Sequence, residues 1–156
     1  PEVKDQSALK GAKAYTVPFK STFTCGGEAI TPEEPDGLTH QMVYGSGNAN
    51  HMGKTGLLIP DEGIDMSNFP LCNTTDVEVI LTAANGDELW FSYASEFDLT
   101  PMLEDPPGII YVRDAMGIIG GGTGRFENAT GYLVYEGDWD ISTGIGICTF
   151  NGEIQY

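Results

Sequence analysis

Apolar and polar residues alternate along most of the chain with a period of two, which is typical of half-buried β-strands. The first such run covers residues 13–25. Its apolar face consists of Tyr15, Val17, Phe19, Phe23 and Cys25. Further strands are predicted at 39–48, 50–59, 77–81, 89–93, 109–119, 132–135 and 145–154. No segment has a helical period longer than two turns, so the pattern predicts an all-β protein.

Glycine, proline and asparagine punctuate these runs and predict the connections. Gly45-Ser46-Gly47-Asn48 is expected to join two strands through a tight turn or bulge. Asn85-Gly86 predicts a hairpin, because both residue types tolerate positive φ. Long loops are predicted at 26–38, 60–75 and 98–107, and the glycine run at 120–124 is expected to be a bulged strand connection.

Eight strands, each joined to the next, predict an up-and-down antiparallel barrel of the calycin-like kind, with the first strand paired to the last. Residues 13–156 are expected to form this single domain and residues 1–12 an N-terminal arm. Because strand direction alternates, one end of the barrel, called the top, receives the loops. These are 26–38, 60–75, 98–107 and 138–142.

Charge is strongly negative, with 23 acidic against 7 basic residues and a net charge of −16. Nucleic acid is not an expected partner, since phosphate binding needs clustered Lys and Arg. Membrane insertion is not expected either, because no apolar run reaches the ~18 residues of a spanning helix. The top loops contain acidic residues and no Lys or Arg. These acidic residues are Glu28, Glu33, Glu34, Asp36, Asp61, Glu62, Asp65, Asp98, Glu104, Asp105, Asp138 and Asp140.

The acidic top has two uses. It can contact the more basic end of a neighbouring copy head to tail, which gives a homo-oligomer or polymer. The residues expected to make these contacts are Glu33, Glu34, Asp61 and Glu62 at the top and Lys4, Lys10, Lys13 and Arg125 at the other end. Alternatively, the clustered carboxylates can bind Ca²⁺, although no EF-hand spacing names a ligand set. No other cofactor is expected.

Three successive strands, at 77–81, 89–93 and 109–119, carry apolar residues on both faces. In the last of them one face is expected to hold Ile110, Val112, Met116 and Ile118, opposite Ile109 and Tyr111. A free-standing barrel needs one apolar face per strand, so the second face indicates a subunit contact. A covering loop or the N-terminal arm would explain it as well.

A glycine-rich segment resembles a known family. Gly121-Gly122-Thr123-Gly124-Arg125-Phe126, followed by Ala129-Thr130-Gly131, resembles the GGTGxFxxAxG segment of allene oxide cyclase and dirigent-type barrels. Two more segments, 45–54 and 83–89, look like segments of uncharacterised secreted bacterial relatives. The resemblance therefore covers roughly residues 40–135. It implies an eight-stranded, often trimeric barrel, some of whose members cyclise or couple small molecules without a cofactor. The catalytic residues of the cyclase and the acidic residues of the dirigent pocket find no match, so the activity stays open.

The cysteines and the chain start bear on the compartment. The first strand ends at Cys25, and the loop that holds Cys72 follows two further strands, so both are expected at the top in a Cys25–Cys72 disulfide. Cys148 is then buried and free. Asn73 and Asn128 begin glycosylation sequons. The chain begins at Pro1, which removal of a signal peptide would leave, as would an engineered start. These features predict a secreted, extracellular protein.

No catalytic residue is assigned from the sequence. His40 and His51 differ in parity and would face opposite ways on a regular strand, and Gly45-Ser46-Gly47 is not a nucleophile elbow. The leading hypothesis is therefore a non-catalytic extracellular barrel that self-associates, as a structural or filament subunit. The alternative is a small-ligand barrel, either a carrier or a cofactor-free cyclase or isomerase. Its cavity lining would be Tyr15, Phe19, Phe23, Phe91 and Tyr93.

Overall fold

Residues 16–156, the part of the chain that the computed structural model describes, form an antiparallel β-barrel. The strands are β1 Val17–Phe19, β2 Ser21–Ile30, β3 Thr39–Ala49, β4 Gly53–Asn68, β5 Leu71–Thr82, β6 Glu88–Asp98, β7 Ile109–Gly122, β8 Thr130–Asp140 and β9 Ile145–Gln155. Two short 3₁₀ segments lie between strands, at Thr100–Leu103 and Gly124–Phe126. Within residues 16–156 no helix has the length and apolar character that a membrane span requires.

The barrel closes because β2 pairs with β9, while β2 to β9 pair in chain order. The short β1 lies outside this ring of eight and continues the pairing along β9, with Val17 opposite Ile154. Closure leaves no free sheet edge among β2 to β9. The predicted all-β, eight-stranded barrel with paired first and last strands is therefore confirmed.

Apolar side chains fill the lower half of the barrel, at the end opposite the top. The largest fully buried ones are Phe19, Phe23, Phe126, Phe150, Leu81, Leu89, Leu133 and Ile154. Burying each contributes about 1.5–3 kcal/mol relative to leaving it in water. The predicted inward face of the first strand is confirmed for Phe19, Phe23 and Cys25; Tyr15 lies outside the described residues.

The first tight turn lies further along the chain than its glycines indicate. Gly45 and Gly47 are inside β3, and the turn to β4 is at residues 50–52, where the Met52 amide donates to the Ala49 carbonyl over 3.2 Å. A β-carbon on Gly47 would overlap the carbonyl oxygen of Thr22 on β2. Glycine at this position therefore permits close approach of two strand backbones rather than chain reversal. The Asn85-Gly86 hairpin is confirmed, with Gly86 at φ 93°.

The predicted long loop at 60–75 is wrong. Strands β4 and β5 run through it and are joined by a two-residue turn at Phe69-Pro70. β2 likewise extends to Ile30, which shortens the predicted 26–38 loop to 31–38. Gly26 and Gly27 inside β2 and Pro60 inside β4 explain these errors, because glycine and proline usually mark loops. The top then consists of two loops, 31–38 and 99–108, and two turns, 69–70 and 141–144.

Bulges interrupt three strands between the filled lower half and the top. In β4, Pro60-Asp61 lies opposite Met42 alone, since Gln41 pairs with Glu62 and Val43 with Ile59. Equivalent shifts occur at 75–76 in β5 and at 113–114 in β7. Each extra residue reverses which parity of residue numbers faces inward.

The bulge in β7 changes which residues of that strand face the interior, so the predicted face is wrong in part. Ile110 and Val112 face the interior, whereas Met116 and Ile118 are 51% and 58% exposed on the outside. The four residues were expected on one face because a regular strand keeps even numbers together. The two residues at 113–114 take up the position of one, so the even-numbered residues change sides.

Candidate functional site

The upper half of the barrel encloses a cavity of about 390 Å³. Its apolar walls come from strand residues on both sides of the bulges, up to the strand ends near the top. They include Val43, Leu57, Ile59, Ile64, Met66, Phe97, Ile110 and Val112. Leu99, Met102, Ile141 and Gly144, from the 99–108 loop and the 141–144 turn, complete the lining, and Met102 is 46% exposed. The cavity therefore opens at the top, between these two connections.

Phe150 of β9 lies at the floor of the cavity. Its ring stacks on Tyr135 at 4.8 Å between centroids and meets the edges of Phe91 and Phe23 at 5.1 and 6.0 Å. Such offset and edge contacts are the favoured aromatic geometries. This aromatic layer separates the cavity from the packed lower half, so a ligand could enter only from the top.

Glu62 is a carboxylate buried inside the barrel, with 8% of its surface exposed. Gln41 Nε2 donates to its Oε1 over 2.6 Å, and the Tyr93 hydroxyl donates to its Oε2 over 2.7 Å. Burial and the neighbouring carboxylate raise the pKa of Tyr93 well above its usual value. Glu62 was expected on an acidic assembly surface, but the bulge at Pro60-Asp61 turns it into the cavity.

A second polar group, contributed by β8 and β9, lines the same cavity. Trp139 Nε1 donates to the Tyr135 hydroxyl over 2.9 Å, and that hydroxyl is 3.7 Å from Cys148 Sγ. Burial raises the pKa of Tyr135 well above its usual value. The Tyr93 and Tyr135 rings meet at 5.1 Å, so the two polar groups share one aromatic wall.

All three cysteines are free, buried thiols, so the predicted Cys25–Cys72 disulfide is absent. Cys25 on β2 instead lies close to Cys148 on the adjacent β9, and the interaction of the two thiols lowers the pKa of Cys148 and raises that of Cys25. Cys72 lies on β5, with its Sγ 3.7 Å from the Pro70 carbonyl. Barrel closure places the first and last strands side by side, and this pairing decided which thiols meet.

A charged clamp lies on the outer wall beside the mouth. His40 Nε2 is 2.7 Å from Asp36 Oδ2, and its Nδ1 is 2.6 Å from Asp61 Oδ1. The two carboxylates raise the pKa of His40, and Asp61 contributes the larger effect. The Leu38 amide and then His40 lower the pKa of Asp36. The clamp ties the 31–38 loop to β4, so Asp61, expected to contact a neighbouring copy, is paired within its own chain.

The remaining predicted ligand-binding residues divide by depth in the barrel. Tyr93 lines the cavity, whereas Phe19, Phe23 and Phe91 belong to the packed core and not to the lining. The fifth, Tyr15, is outside the described residues. The sequence could not separate these aromatics, because alternation shows which side chains point inward but not where the interior is full.

The remaining predicted assembly and modification residues are on the surface or outside the described range. Glu33 and Glu34 are exposed in the 31–38 loop, and both sequon asparagines, Asn73 and Asn128, are exposed. The Arg125 guanidinium lies 4.7 Å from the Phe126 ring, near Asp87, and donates to the His51 carbonyl. The arm residues, Lys4, Lys10 and Lys13, are outside the described residues.

The polar groups of the cavity wall include the Glu62 carboxylate, the Gln41 amide and the hydroxyls of Tyr93 and Tyr135. Among residues 16–156, no group of three or more His, Cys, Asp or Glu side chains is arranged to hold a metal ion. Comparison with protein-family models, curated proteins and solved structures finds no match to this chain. Apolar walls with few convergent polar groups suit a small organic molecule held in one orientation. A prediction that assumes regular strands does not bring Gln41 and Glu62 together, because their contact depends on the bulge at Pro60-Asp61.

Proposed function

We propose that this protein binds a small, largely apolar molecule inside the upper half of its barrel. The observation that carries the proposal is the cavity of about 390 Å³ with Glu62 buried in its wall. Ligand pockets of proteins typically enclose about 300–1,000 Å³, with apolar walls and a few polar groups. Small eight-stranded barrels either fill their interior or hold one small ligand, and this barrel is filled only below Phe150.

The positions of the polar residues support a ligand-binding cavity over a space left by incomplete packing. An empty space left by poor packing is expected to be apolar throughout. Here Gln41, Glu62 and Tyr93 come from three strands and converge on one wall. Burying a carboxylate costs free energy unless it gains partners, so a purely structural interior would favour an apolar residue at this position.

Binding of N-phenyl-1-naphthylamine, an apolar dye that is uncharged at neutral pH, tests the proposal. Fluorescence of the dye should rise and saturate at one molecule per chain. Ile110→Trp places an indole in the cavity wall and should abolish or strongly weaken the rise. Met116→Trp places the same indole on the outer face of the same strand and should leave it unchanged. A dye response that survives Ile110→Trp would contradict the proposal.

Self-association is a second candidate function, supported by an outward-facing apolar row across β3 to β8. The row consists of Tyr44, Leu58, Ile80 and Trp90, which pair directly across β3 to β6, and of Ile118 and Tyr132, which pair across β7 and β8. Ile118 lies opposite Ser92 and therefore diagonal to Trp90. Five strand spacings give it a length of about 24 Å. A standard interface buries ~800 Å² per partner, which corresponds to a disc about 32 Å across. At about 24 Å the row is shorter than this disc, so residues beside it would have to add to the contact. Because the row contains no charged side chain, we propose a second copy presenting the same row as its partner.

Sedimentation velocity over a range of protein concentrations tests the second candidate. The wild type should associate, and Trp90→Ser or Ile118→Ser should shift it toward monomer. Tyr111→Ser, which removes a side chain that is 53% exposed outside the row, should not. A wild type that stays monomeric at every concentration would exclude this candidate and leave the cavity proposal untouched.

A further inference from the structure

The charges around the cavity are of one sign. Two carboxylates, Glu62 and Asp140, are among its lining residues, and no Lys or Arg within residues 16–156 lines it. The basic side chains in this range are elsewhere: Lys20, Lys54 and Arg125 lie at the lower end, and Arg113 lies outside β7, 2.6 Å from Asp138. The protein thus supplies no cationic partner for Glu62 in the part that the structure describes.

Glu62 has acceptor capacity left over. A carboxylate offers about four acceptor sites, and Gln41 and Tyr93 use one on each oxygen. Both partners are neutral, so they satisfy hydrogen bonding without neutralising charge. In a low-dielectric interior, a carboxylate without an opposite charge is disfavoured. A ligand that brings a positive charge would remove this penalty.

We infer that the ligand of the cavity is a hydrophobic amine, whose ammonium group pairs with Glu62 while its apolar body lies against the barrel walls. The inference rests on the proposed function of the cavity. An ammonium group has three donors, enough to fill the roughly two acceptor sites that Glu62 has left. Tyr93, Tyr135 and Trp139 line the same space, and aromatic faces attract cations at short range.

The same charges disfavour the other common apolar ligands. A fatty acid would place a second carboxylate in a space that already holds Glu62, and like charges in a poorly solvated site repel strongly. A neutral alcohol or hydrocarbon would leave Glu62 buried without an opposite charge. Discrimination by charge is therefore built into the wall, independently of the shape of the cavity.

The surface around the mouth of the cavity is also negatively charged. Asp98, Glu104 and Asp105 lie in or beside the 99–108 loop at the mouth, and all three are exposed. Surface charge of one sign raises the local concentration of oppositely charged ligands and their association rate. We expect association of a cationic ligand to slow as salt is added, since screening shortens the range of this attraction.

Three probes that differ only in one terminal group test the inference. These are 4-phenylbutylamine, 4-phenylbutan-1-ol and 4-phenylbutyrate, titrated into the full chain by calorimetry near pH 7. The amine should bind at least about 10-fold more tightly than the alcohol, because truncating one partner of a buried charge pair typically costs that much or more. The carboxylate should bind most weakly.

Glu62→Gln keeps the size of the side chain and removes its charge. It should lower affinity for the amine at least about 10-fold and leave affinity for the alcohol nearly unchanged. Glu96→Gln removes the same charge from the exposed face of β6 and should preserve the preference for the amine. Circular dichroism of each variant checks folding, and the ranking of the probes on the wild type does not depend on any variant.

The outcomes separate the two claims. If the naphthylamine dye binds in the cavity but the alcohol binds as tightly as the amine, the charge inference is wrong and the cavity remains a binding site. If Glu62→Gln keeps the preference for the amine, Glu62 is not its partner and the inference is wrong in its assigned contact. If neither the dye nor any of the three probes binds, the proposed function itself fails.

Discussion

Tyr93 donates a 2.7 Å hydrogen bond to Glu62 inside the barrel, where both side chains are more than nine-tenths buried. The two residues lie on different strands, β6 and β4, with β5 between them. Their contact therefore spans the interior wall rather than a single strand pair. It joins the cavity to the stability of the barrel, because one buried hydrogen bond connects a wall residue of β4 to one of β6.

Replacing Tyr93 with Phe should destabilise the barrel by about 1–3 kcal/mol, the cost of leaving one buried acceptor without its donor. Urea unfolding monitored by circular dichroism measures the change. Tyr44→Phe removes the same hydroxyl from a side chain that is 44% exposed outside the barrel, and should change stability by no more than about 0.5 kcal/mol. Equal effects of the two substitutions would show that the Tyr93 hydroxyl has no special role.

The His40 clamp should make stability depend on pH with a definite sign. Folding raises the pKa of His40, so its contribution is complete below the unfolded value of about 6.5 and is lost as pH rises through the folded-state value. Folding lowers the pKa of Asp36, so that contribution is lost as pH falls through its folded-state value.

Thermal unfolding of the wild type and His40→Gln between pH 5 and pH 9 tests the clamp. The difference in Tm should be largest at the acidic end and should shrink as pH rises. His51→Gln, at the lower end of the barrel, is the matched control and should not change this trend. A difference between wild type and His40→Gln that is constant across the range would contradict the clamp.

The three thiols should be free and protected. In the folded protein without reductant, N-ethylmaleimide should add slowly, because each cysteine is at most 4% exposed. In denaturant without reductant, three additions should appear by mass spectrometry. A single addition would indicate a disulfide, and peptide mapping would then identify the pair. Oxidation of the folded protein with diamide, which accepts the two thiol hydrogens, should join Cys25 to Cys148 and leave Cys72 free.

Gly47→Ala should destabilise the barrel by about 1–3 kcal/mol, because the added methyl group would overlap the backbone of Thr22 and force β2 and β3 apart. Gly56→Ala is the matched control on β4, since nothing lies within 4 Å of its added methyl group. The control should be neutral or slightly stabilising, because alanine restricts the unfolded chain. Chemical denaturation compares the two, and equal stabilities would contradict the close approach of the strands.

Alternation of apolar and polar residues was sufficient to predict the class of fold. Phe19, Phe23 and Cys25 face inward as their spacing requires, and the Asn85-Gly86 turn lies where its φ preference places it. Pairing of the first and last strands followed from counting eight connected strands. These features depend on local backbone geometry, which neighbouring residues determine.

The candidate site depended on features that local patterns do not report. Glu62 and Gln41 meet because Pro60-Asp61 occupies the space of one residue, and this bulge is seen only against the register of β3. Cys25 meets Cys148 rather than Cys72 because closure juxtaposes β2 and β9. Both contacts join residues whose separation along the chain carries no signal of proximity.

The sequence by itself determined an acidic, all-β chain whose inward residues close into a barrel, because burial of alternate side chains is a local requirement of each strand. Only the tertiary structure decided that the barrel is filled below Phe150 and open above it, and that a carboxylate faces the open part. The reason is physical: strand register, bulges and packing volume are set by the sum of contacts between distant segments, and no single segment contains that sum.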